Sequence, residues 1–489
     1  MTAHHNDTNT DTNTDTNNDT DTDTDLDTFR TELQRLRSLD VPTHGGSTFA
    51  YVYDSGRPDV DGLGLEALAM FGESNGLDPT AFPSLLAMER DLVAMAGEFT
   101  GAPAGFVGTV TSGGTESILL AVQTARDARP DVSNPSMVIP STAHAAFHKA
   151  AHYFGVRAVV VPVGADHRAD VDAMAAAIDG STVLLVGSAP SYAHGVIDPI
   201  EALGRLALDR GVRLHVDACI GGWVLPFLDT AAPWNLGVAG VTSLSVDLHK
   251  YAYTPKGVSV LLHRDPSLRL PQFFACADWP GYTMLNSTTQ STRSGGPLAA
   301  AWAVTRAHGR SGYAELARRA HRAAVTFADA VPEPLEVVAA PESTLVAVAS
   351  RDPQVDVLVV VDEMQARGHY VQAQLAYGDT PATMHLSMSA ASLDVIDAVI
   401  AALRESVEAA RELGPVTVDP GLAEAARSLD PATLSDADFD GLIALAGLAA
   451  DGGQPALPTR MAEVNALLSV ATPALRERLL VAFLDRLTR

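Results

Sequence analysis

The chain has 489 residues, 47% hydrophobic and 19% charged, a balance that excludes a disordered or fibrous protein and is far too long for one small module. Its 33 Lys+Arg against 59 Asp+Glu give a formal net charge of −26, which argues against nucleic acid as a partner, because phosphate contacts need clustered cations. Cys219 and Cys276 are too few for a disulfide framework or a Cys-rich zinc site, no apolar run reaches the roughly 18 residues of a membrane span, and the N-terminus lacks the order of a signal peptide; a soluble, cytoplasmic protein with no metal is expected.

Residues 1–27 repeat Thr, Asn and Asp with almost no apolar side chain, so nothing offsets the entropy of ordering them and a disordered tail is expected. Residues 28–99 form an N-terminal helical segment: Leu33, Leu36 and Leu39 lie at helical spacing, and further helices are predicted over 65–73 and 83–99. Between 100 and 315, short apolar runs at 137–140, 158–163, 182–187, 212–216, 243–246 and 259–263 alternate with helical stretches. That pattern predicts a large α/β domain, a mostly parallel sheet sandwiched by helices. A long helix around 297–330 leads into the stretches 335–340, 344–350, 356–361 and 383–389, which predict a smaller α+β domain over 316–415. Residues 416–489 read as an Ala/Leu-rich helical extension that covers the body or a partner subunit.

Three features carry chemistry. Thr111-Ser112-Gly113-Gly114-Thr115-Glu116-Ser117 precedes a helical run, and a Gly-rich turn at a helix start offers free N–H groups to a phosphate. Leu214-His215-Val216-Asp217-Ala218-Cys219 ends an apolar strand in a carboxylate at the sheet edge where α/β proteins bind ligands. Asp247-Leu248-His249-Lys250 follows another strand, and Lys250 is one of only three lysines, with Lys149 and Lys256, in a chain that otherwise uses arginine. A retained lysine points to work a guanidinium cannot do, such as forming an imine. Together these are the parts needed to hold pyridoxal phosphate, with the phosphate at Gly114-Thr115, Asp217 on the pyridine nitrogen, Lys250 as the Schiff-base lysine and His144 stacked on the ring.

These motifs, with AHAAFHKAAHYFGV (143–156), GSAPSYAHGVIDPI (187–200) and STRSGG (291–296), resemble the group II pyridoxal-phosphate decarboxylase family, and within it the sphingosine-1-phosphate lyase branch, over about residues 48–415. The resemblance implies a fold-type I homodimer with active sites shared between subunits. It implies that Cys219 packs on the second ring face and that Gly114, Thr115 and His249 bind the cofactor phosphate, joined by Thr292 from the other subunit. The implied reaction is retro-aldol cleavage of a long-chain base or related amino alcohol, phosphorylated or not, to an aldehyde and an amine; the alternative is α-decarboxylation of an amino acid. Lys250, His194 and Tyr53 are the acid/base candidates. Tyr53 and Lys256 match family residues that hold the substrate phosphate, whereas Asp78 stands where the family has a histidine, and a carboxylate there would repel a phosphate dianion.

Overall fold

A computed structural model describes residues 26–229, 232–445 and 460–488; the Thr/Asn/Asp tail expected to be disordered lies, up to residue 25, outside them. The chain divides at Val41. On the N-terminal side, helix α1 (Leu26–Arg37) presents Leu26, Phe29, Leu33 and Leu36 at helical spacing and carries short-range ion pairs such as Arg30–Asp27.

From Pro42 onward the chain forms α2 (Pro58–Met70), α3 (Pro83–Phe99), β1 (Val107–Thr111), α4 (Gly114–Asp127), β2 (Ser136–Pro140), α5 (Ala146–Phe154), β3 (Arg157–Val161), α6 (Val171–Ala177), β4 (Thr182–Ser188), α7 (Ile200–Arg210) and β5 (Arg213–Asp217). There follow β6 (Val241–Asp247), β7 (Ser259–His263), the single-turn α8 (Pro266–Arg269) and the hairpin β8 (Phe274–Cys276) and β9 (Met284–Asn286). Strands β1 to β7 make one sheet in the order β1-β7-β6-β5-β4-β2-β3, parallel from β3 through β6 and antiparallel only where β7 pairs with its two neighbours. Because successive side chains point to opposite faces, Met137 and Ile139 of β2 join the core under α4 and α5, while Val138 joins the other core with Leu185, Leu214, Val216 and Leu244. The six strands predicted for this sheet are all present; β1 was not predicted, since its sequence VGTVT carries no apolar run.

Helix α9 (Gly295–Asp329) links the two domains, bending at Gly309, whose φ of 59° a glycine adopts without strain. Ala301, Tyr313 and Leu316 of this helix enter the large-domain core, and Ala323, Ala324 and Phe327 enter the small-domain core. The small domain is the antiparallel sheet β10 (Leu335–Val337), β11 (Leu345–Ser350), β13 (Thr383–Ser387) and β12 (Gln372–Gln374), in that order, covered by α10 (Val357–Ala366) and α11 (Ile396–Leu413). The 356–361 stretch, grouped with the extended ones by its β-branched run, is the start of α10: Asp356 caps it by accepting from Leu358 N at 2.9 Å, and burial of Val357 to Met364 overrides strand propensity. Of the C-terminal helices α12 (Pro420–Ser428), α13 (Asp436–Leu445), α14 (Ala462–Val470) and α15 (Pro473–Leu487), α14 docks on α10, α12 packs on α14 and α13 on α15. Where α14 meets α10 the Asp362 carboxylate accepts from Met461 N and Ala462 N, each at 2.9 Å, and Arg460 pairs with Glu363 at 2.5 Å.

Burial makes several histidines poor bases: His194, His215, His308 and His385 are pushed down to about 4 and His263 to about 3, against about 6.5 in an unfolded chain. Below pH 6.5 the unfolded chain takes up protons that these folded sites refuse, so stability is lost as pH falls from 6.5 toward 4. Asp198, raised by burial to about 6, acts in the opposite sense but is outnumbered. The thermal unfolding midpoint should therefore drop steadily between pH 6.5 and 5; a flat midpoint over that interval would contradict the burial of these rings.

Candidate active site

The carboxyl ends of β4, β5 and β6 lie side by side, Ser188 paired with Asp217 and Asp217 with Ser245, so the chemistry-bearing residues that follow each strand converge on one edge. Asp247, 1% exposed, ends β6 and lies 2.9 Å from Lys250 Nζ, which the tight turn after the strand brings back toward it. Its other partners are the Ser259 hydroxyl of β7 and, at 3.7 Å, His249 Nε2. Burial alone would pull the Lys250 ammonium down, yet Asp247, helped by Cys219, Tyr53 and Asp217, holds it well above the usual lysine value. Asp247 itself, though burial pushes it up, is kept low by Lys250, His249 and Ser259.

Directly above this pair begins α4. Gly113 caps it without a side-chain hydrogen bond, leaving the first N–H groups of the helix open. A Cβ on Gly114 would sit 2.7 Å from both Asp247 Oδ2 and Cys219 Sγ, so the helix can start here only as glycine. His249 accepts from Val258 N on Nδ1 at 3.3 Å; uncharged, it carries its proton on Nε2, and burial holds it in that form. Asp217 Oδ1 accepts from Cys219 N at 3.1 Å and lies 3.5 Å from the Ser245 hydroxyl, with no basic group in ion-pair distance among the described residues. The Cys219 thiol is pushed far up by burial and by Asp217, so it stays neutral and serves as an apolar floor. His144 is exposed, its Nδ1 fixed by Ala146 N at 3.1 Å, and the nearby Thr142 hydroxyl is buried without a partner.

These features fit pyridoxal 5'-phosphate: an open helix start with Gly114, Thr115 and His249 for the phosphate, an uncompensated carboxylate at Asp217 for a protonated ring nitrogen, and a lysine amine at the cleft floor. The structure also shows what surrounds Tyr53 and Lys256, both expected at the site, and adds Tyr192, Asp198 and Asp247, which the sequence alone left unassigned. Tyr53 packs edge-on against Tyr251 at 4.9 Å with the Lys256 ammonium 4.9 Å from its ring. Tyr192 shares this wall, and the acidity of both Tyr53 and Tyr192, lowered in the first place by burial, responds to the Lys250 charge and the Ser387 hydroxyl. Asp198 fixes the segment carrying Tyr192, accepting from Ser188 N at 2.7 Å and Ala169 N at 2.8 Å. Asp247 was signalled by its place three residues before Lys250; Tyr192, two residues before His194, gave no such signal.

Other expected residues lie differently. His194 stacks on His167 at 4.2 Å, and no hydrogen bond or ion pair joins it to the Lys250 group among the described residues. Asp78 accepts from Thr80 N at 2.8 Å, Thr80 Oγ1 at 2.6 Å and Ala81 N at 3.4 Å, bonds that keep it ionised within its own turn. It lines a neighbouring groove of about 1250 Å³ bounded by α3, β1 and the segment 282–298. Thr292 is exposed on that segment, which Thr289 ties to its own chain's Glu116, N to Oε1 at 2.9 Å. Lys256, although exposed along its length, donates to Tyr51 O at 2.9 Å and His249 O at 3.2 Å, and burial around its ammonium end, with the Lys250 charge, lowers it to about 8.

Fold and cradle together define a fold-type I pyridoxal-phosphate enzyme. Residues 40–351 match the family model described as pyridoxal-dependent decarboxylase conserved domain, and residues 420–486 match a pyridoxal-dependent enzyme C-terminal putative HTH domain. Sphingosine-1-phosphate lyase of Arabidopsis thaliana is 38% identical over 367 residues, 72% of this chain and 66% of that protein. Sphingosine-1-phosphate lyase 1 of Rattus norvegicus is 39% identical over 350 residues, 69% of this chain and 61% of that protein. The structure of Burkholderia pseudomallei sphingosine-1-phosphate lyase superposes with a TM-score of 0.74 at 32% identity, covering 84% of this chain and 94% of that one. The chain belongs to the pyridoxal-dependent decarboxylase family, and its cofactor is pyridoxal 5'-phosphate.

Gly114→Ala should weaken cofactor binding by about tenfold or more, read by absorbance titration, because its Cβ collides with two buried groups. Gly113→Ala, whose Cβ would meet only His249 Cε1 at 3.4 Å, should stay within about threefold. Equal affinities for the two variants would show that the α4 start is not the phosphate seat.

Proposed function

We propose that this protein is a carbon–carbon lyase that cleaves a long-chain base, or a related β-hydroxy amine, to an aldehyde and a smaller amine. The observation that carries this reading is the phenol wall beside Lys250: Tyr53 and Tyr192 are neutral hydroxyls within reach of the lysine charge, suited to exchanging the proton of a substrate hydroxyl. The likeness to sphingosine-1-phosphate lyases over about 70% of the chain supports it. A match to a probable L-tyrosine/L-aspartate decarboxylase of Methanocorpusculum labreanum, 37% identical but over half of the chain, keeps amino-acid decarboxylation as the second reading.

When bound, pyridoxal phosphate supplies the sink for the electron pair left at the substrate Cα. Lys250 would hold the group through Nζ, Asp217 would keep its ring nitrogen protonated, and Cys219 and His144 would cover its two faces. Tyr53, its ring under the Lys256 ammonium, would take the proton of the substrate hydroxyl as the bond breaks while passing its own to the Lys250 amine; Lys250, restrained by Asp247, would return that proton to Cα. His194 is a poor candidate for either task, since a ring titrating at about 4 and stacked on His167 is a weak base.

A homodimer belongs to the same proposal. The hairpin β8–β9 and its flanks expose Phe274, Trp279, Tyr282 and Leu285 beside the groove, an apolar surface suited to a second copy, whose cradle the exposed Thr292 would then complete. The two cysteines are unpaired, in keeping with a cytoplasmic enzyme. Residues 420–486 carry five arginines against nine acidic residues, which supports packing on α10 over nucleic-acid reading despite the name of the matching domain.

Supplied with dihydrosphingosine-1-phosphate, the cofactor-loaded protein should release a long-chain aldehyde and phosphoethanolamine by mass spectrometry, and Lys250→Ala should release neither; carbon dioxide from amino acids without aldehyde would move the assignment to decarboxylation. Because Lys256 titrates at about 8 and is cationic only below that, KM for the phosphorylated substrate should rise as pH passes 8, and Lys256→Met should abolish the rise. Asp78→His should improve turnover of the phosphorylated substrate if position 78 reaches its phosphate, and no change would detach Asp78 from substrate recognition.

A further inference from the structure

The small domain reaches the phenol wall through Gln372 of β12. Its Oε1 accepts the Tyr192 hydroxyl at 2.6 Å and its Nε2 donates to the Tyr51 hydroxyl at 3.0 Å, so one carboxamide joins three segments far apart in sequence. Tyr192 belongs to the large domain. Tyr51 belongs to the strap 47–54, which is itself stitched to the small domain: Phe49 N donates to Tyr370 O at 2.8 Å, Tyr370 N to Ser47 O at 3.1 Å, Ser387 N to Phe49 O at 2.7 Å and Ala391 N to Asp54 O at 3.1 Å. The strap, small domain and Gln372 thus act on Tyr192 as one body.

Two further observations give the contact a purpose. Tyr51 has φ 64°, a left-handed conformation that a non-glycine residue keeps only where its surroundings impose it. Here Lys256 holds its carbonyl and Gln372 its hydroxyl, so the strained residue is the fixed post that orients the amide. On the other side, His385 of β13 donates through Nε2 to Tyr192 O, 2.9 Å away, and its ring lies 4.5 Å from the Tyr192 ring, while the buried Ser387 hydroxyl lies beside both phenols. The Tyr192 backbone and ring are held independently of Gln372; the direction of its hydroxyl is not. With its proton turned to Oε1, the phenol oxygen offers its lone pairs to the cleft, beside the Ser387 hydroxyl.

Resting on the lyase reading, we propose that Gln372 is a positioning residue for the cleavage: it sets the direction of the Tyr192 hydroxyl toward the substrate hydroxyl and makes that setting depend on the small domain being seated. Gln372→Leu keeps the side-chain bulk and removes both bonds. It should lower kcat by about tenfold or more with KM changed less than about twofold, while cofactor affinity and the thermal unfolding midpoint of the holoenzyme stay near those of the unmutated protein. Tyr192→Phe should lose at least as much, and adding Gln372→Leu to it should cost nothing further, since the amide acts through that hydroxyl. Gln372→Glu, which still accepts from Tyr192, should keep kcat within about threefold and move the alkaline limb of its pH profile upward, because a carboxylate beside a phenol favours the neutral form. Unchanged kcat in Gln372→Leu, a loss that adds fully to that of Tyr192→Phe, or a loss matched by weaker cofactor binding would each overturn the proposal. If the unmutated protein makes no aldehyde from any β-hydroxy amine, the lyase reading fails. The positioning role then falls with it, whereas aldehyde formation with unchanged kcat in Gln372→Leu overturns the positioning role alone.

Discussion

A deeply buried carboxylate is costly to keep ionised without a partner, and at the end of β6 that partner is Lys250. Asp247 lies beneath the start of α4, and the 2.9 Å pair with Lys250 is what makes its charge tolerable there. Breaking a buried pair of this kind from one side costs on the order of 3–5 kcal/mol, so the lysine is held in the cleft by more than its own side-chain preference. Around this pair the other positions become obligatory. Gly114 has no side chain because the carboxylate and the Cys219 thiol occupy that space, and His249 keeps its proton on Nε2 because Val258 N holds the other nitrogen.

The same pair explains how the large and small domains share one cleft. The sheet delivers the charged groups, all from strand ends, on a rigid edge whose neighbours in register are Ser188, Asp217 and Ser245. The strap and the small domain deliver hydroxyls: Tyr53, Ser387 and, through Gln372, the orientation of Tyr192. Charge is thereby placed on the sheet edge that forms the cofactor seat, and the hydroxyls beside it come from the strap and the small domain. Tyr251, whose hydroxyl donates to Met388 O at 2.9 Å, adds a hydrogen bond between the two bodies.

Much of this was legible in the sequence, and the exceptions have physical reasons. Strands buried on both faces read as continuous apolar runs, so β2 to β7 were visible, whereas β1, with Gly and two Thr, was not. The 356–361 run shows burial winning over β-branched propensity once an aspartate caps the turn. In the cleft, Asp217, His249 and Lys250 were readable because Asp217 ends β5 and the other two lie in the tight turn after β6, and a strand end fixes where the next residues go. Tyr192, Ser387 and Gln372 were not, because their roles exist only where three distant segments meet. His194 was the more conspicuous residue of its segment, yet its neighbour is His167.

The central claim is that Lys250, held by Asp247 at the floor of the α4 cradle, is the residue that carries pyridoxal phosphate. Borohydride reduction of the cofactor-loaded protein followed by peptide mass mapping tests it most directly, since the chain has only three lysines to distinguish. The account predicts a pyridoxyl mass increment on the peptide containing Lys250 and none on those containing Lys149 or Lys256. A modified Lys149 or Lys256, or no fixed cofactor in a protein that binds it, would contradict the account.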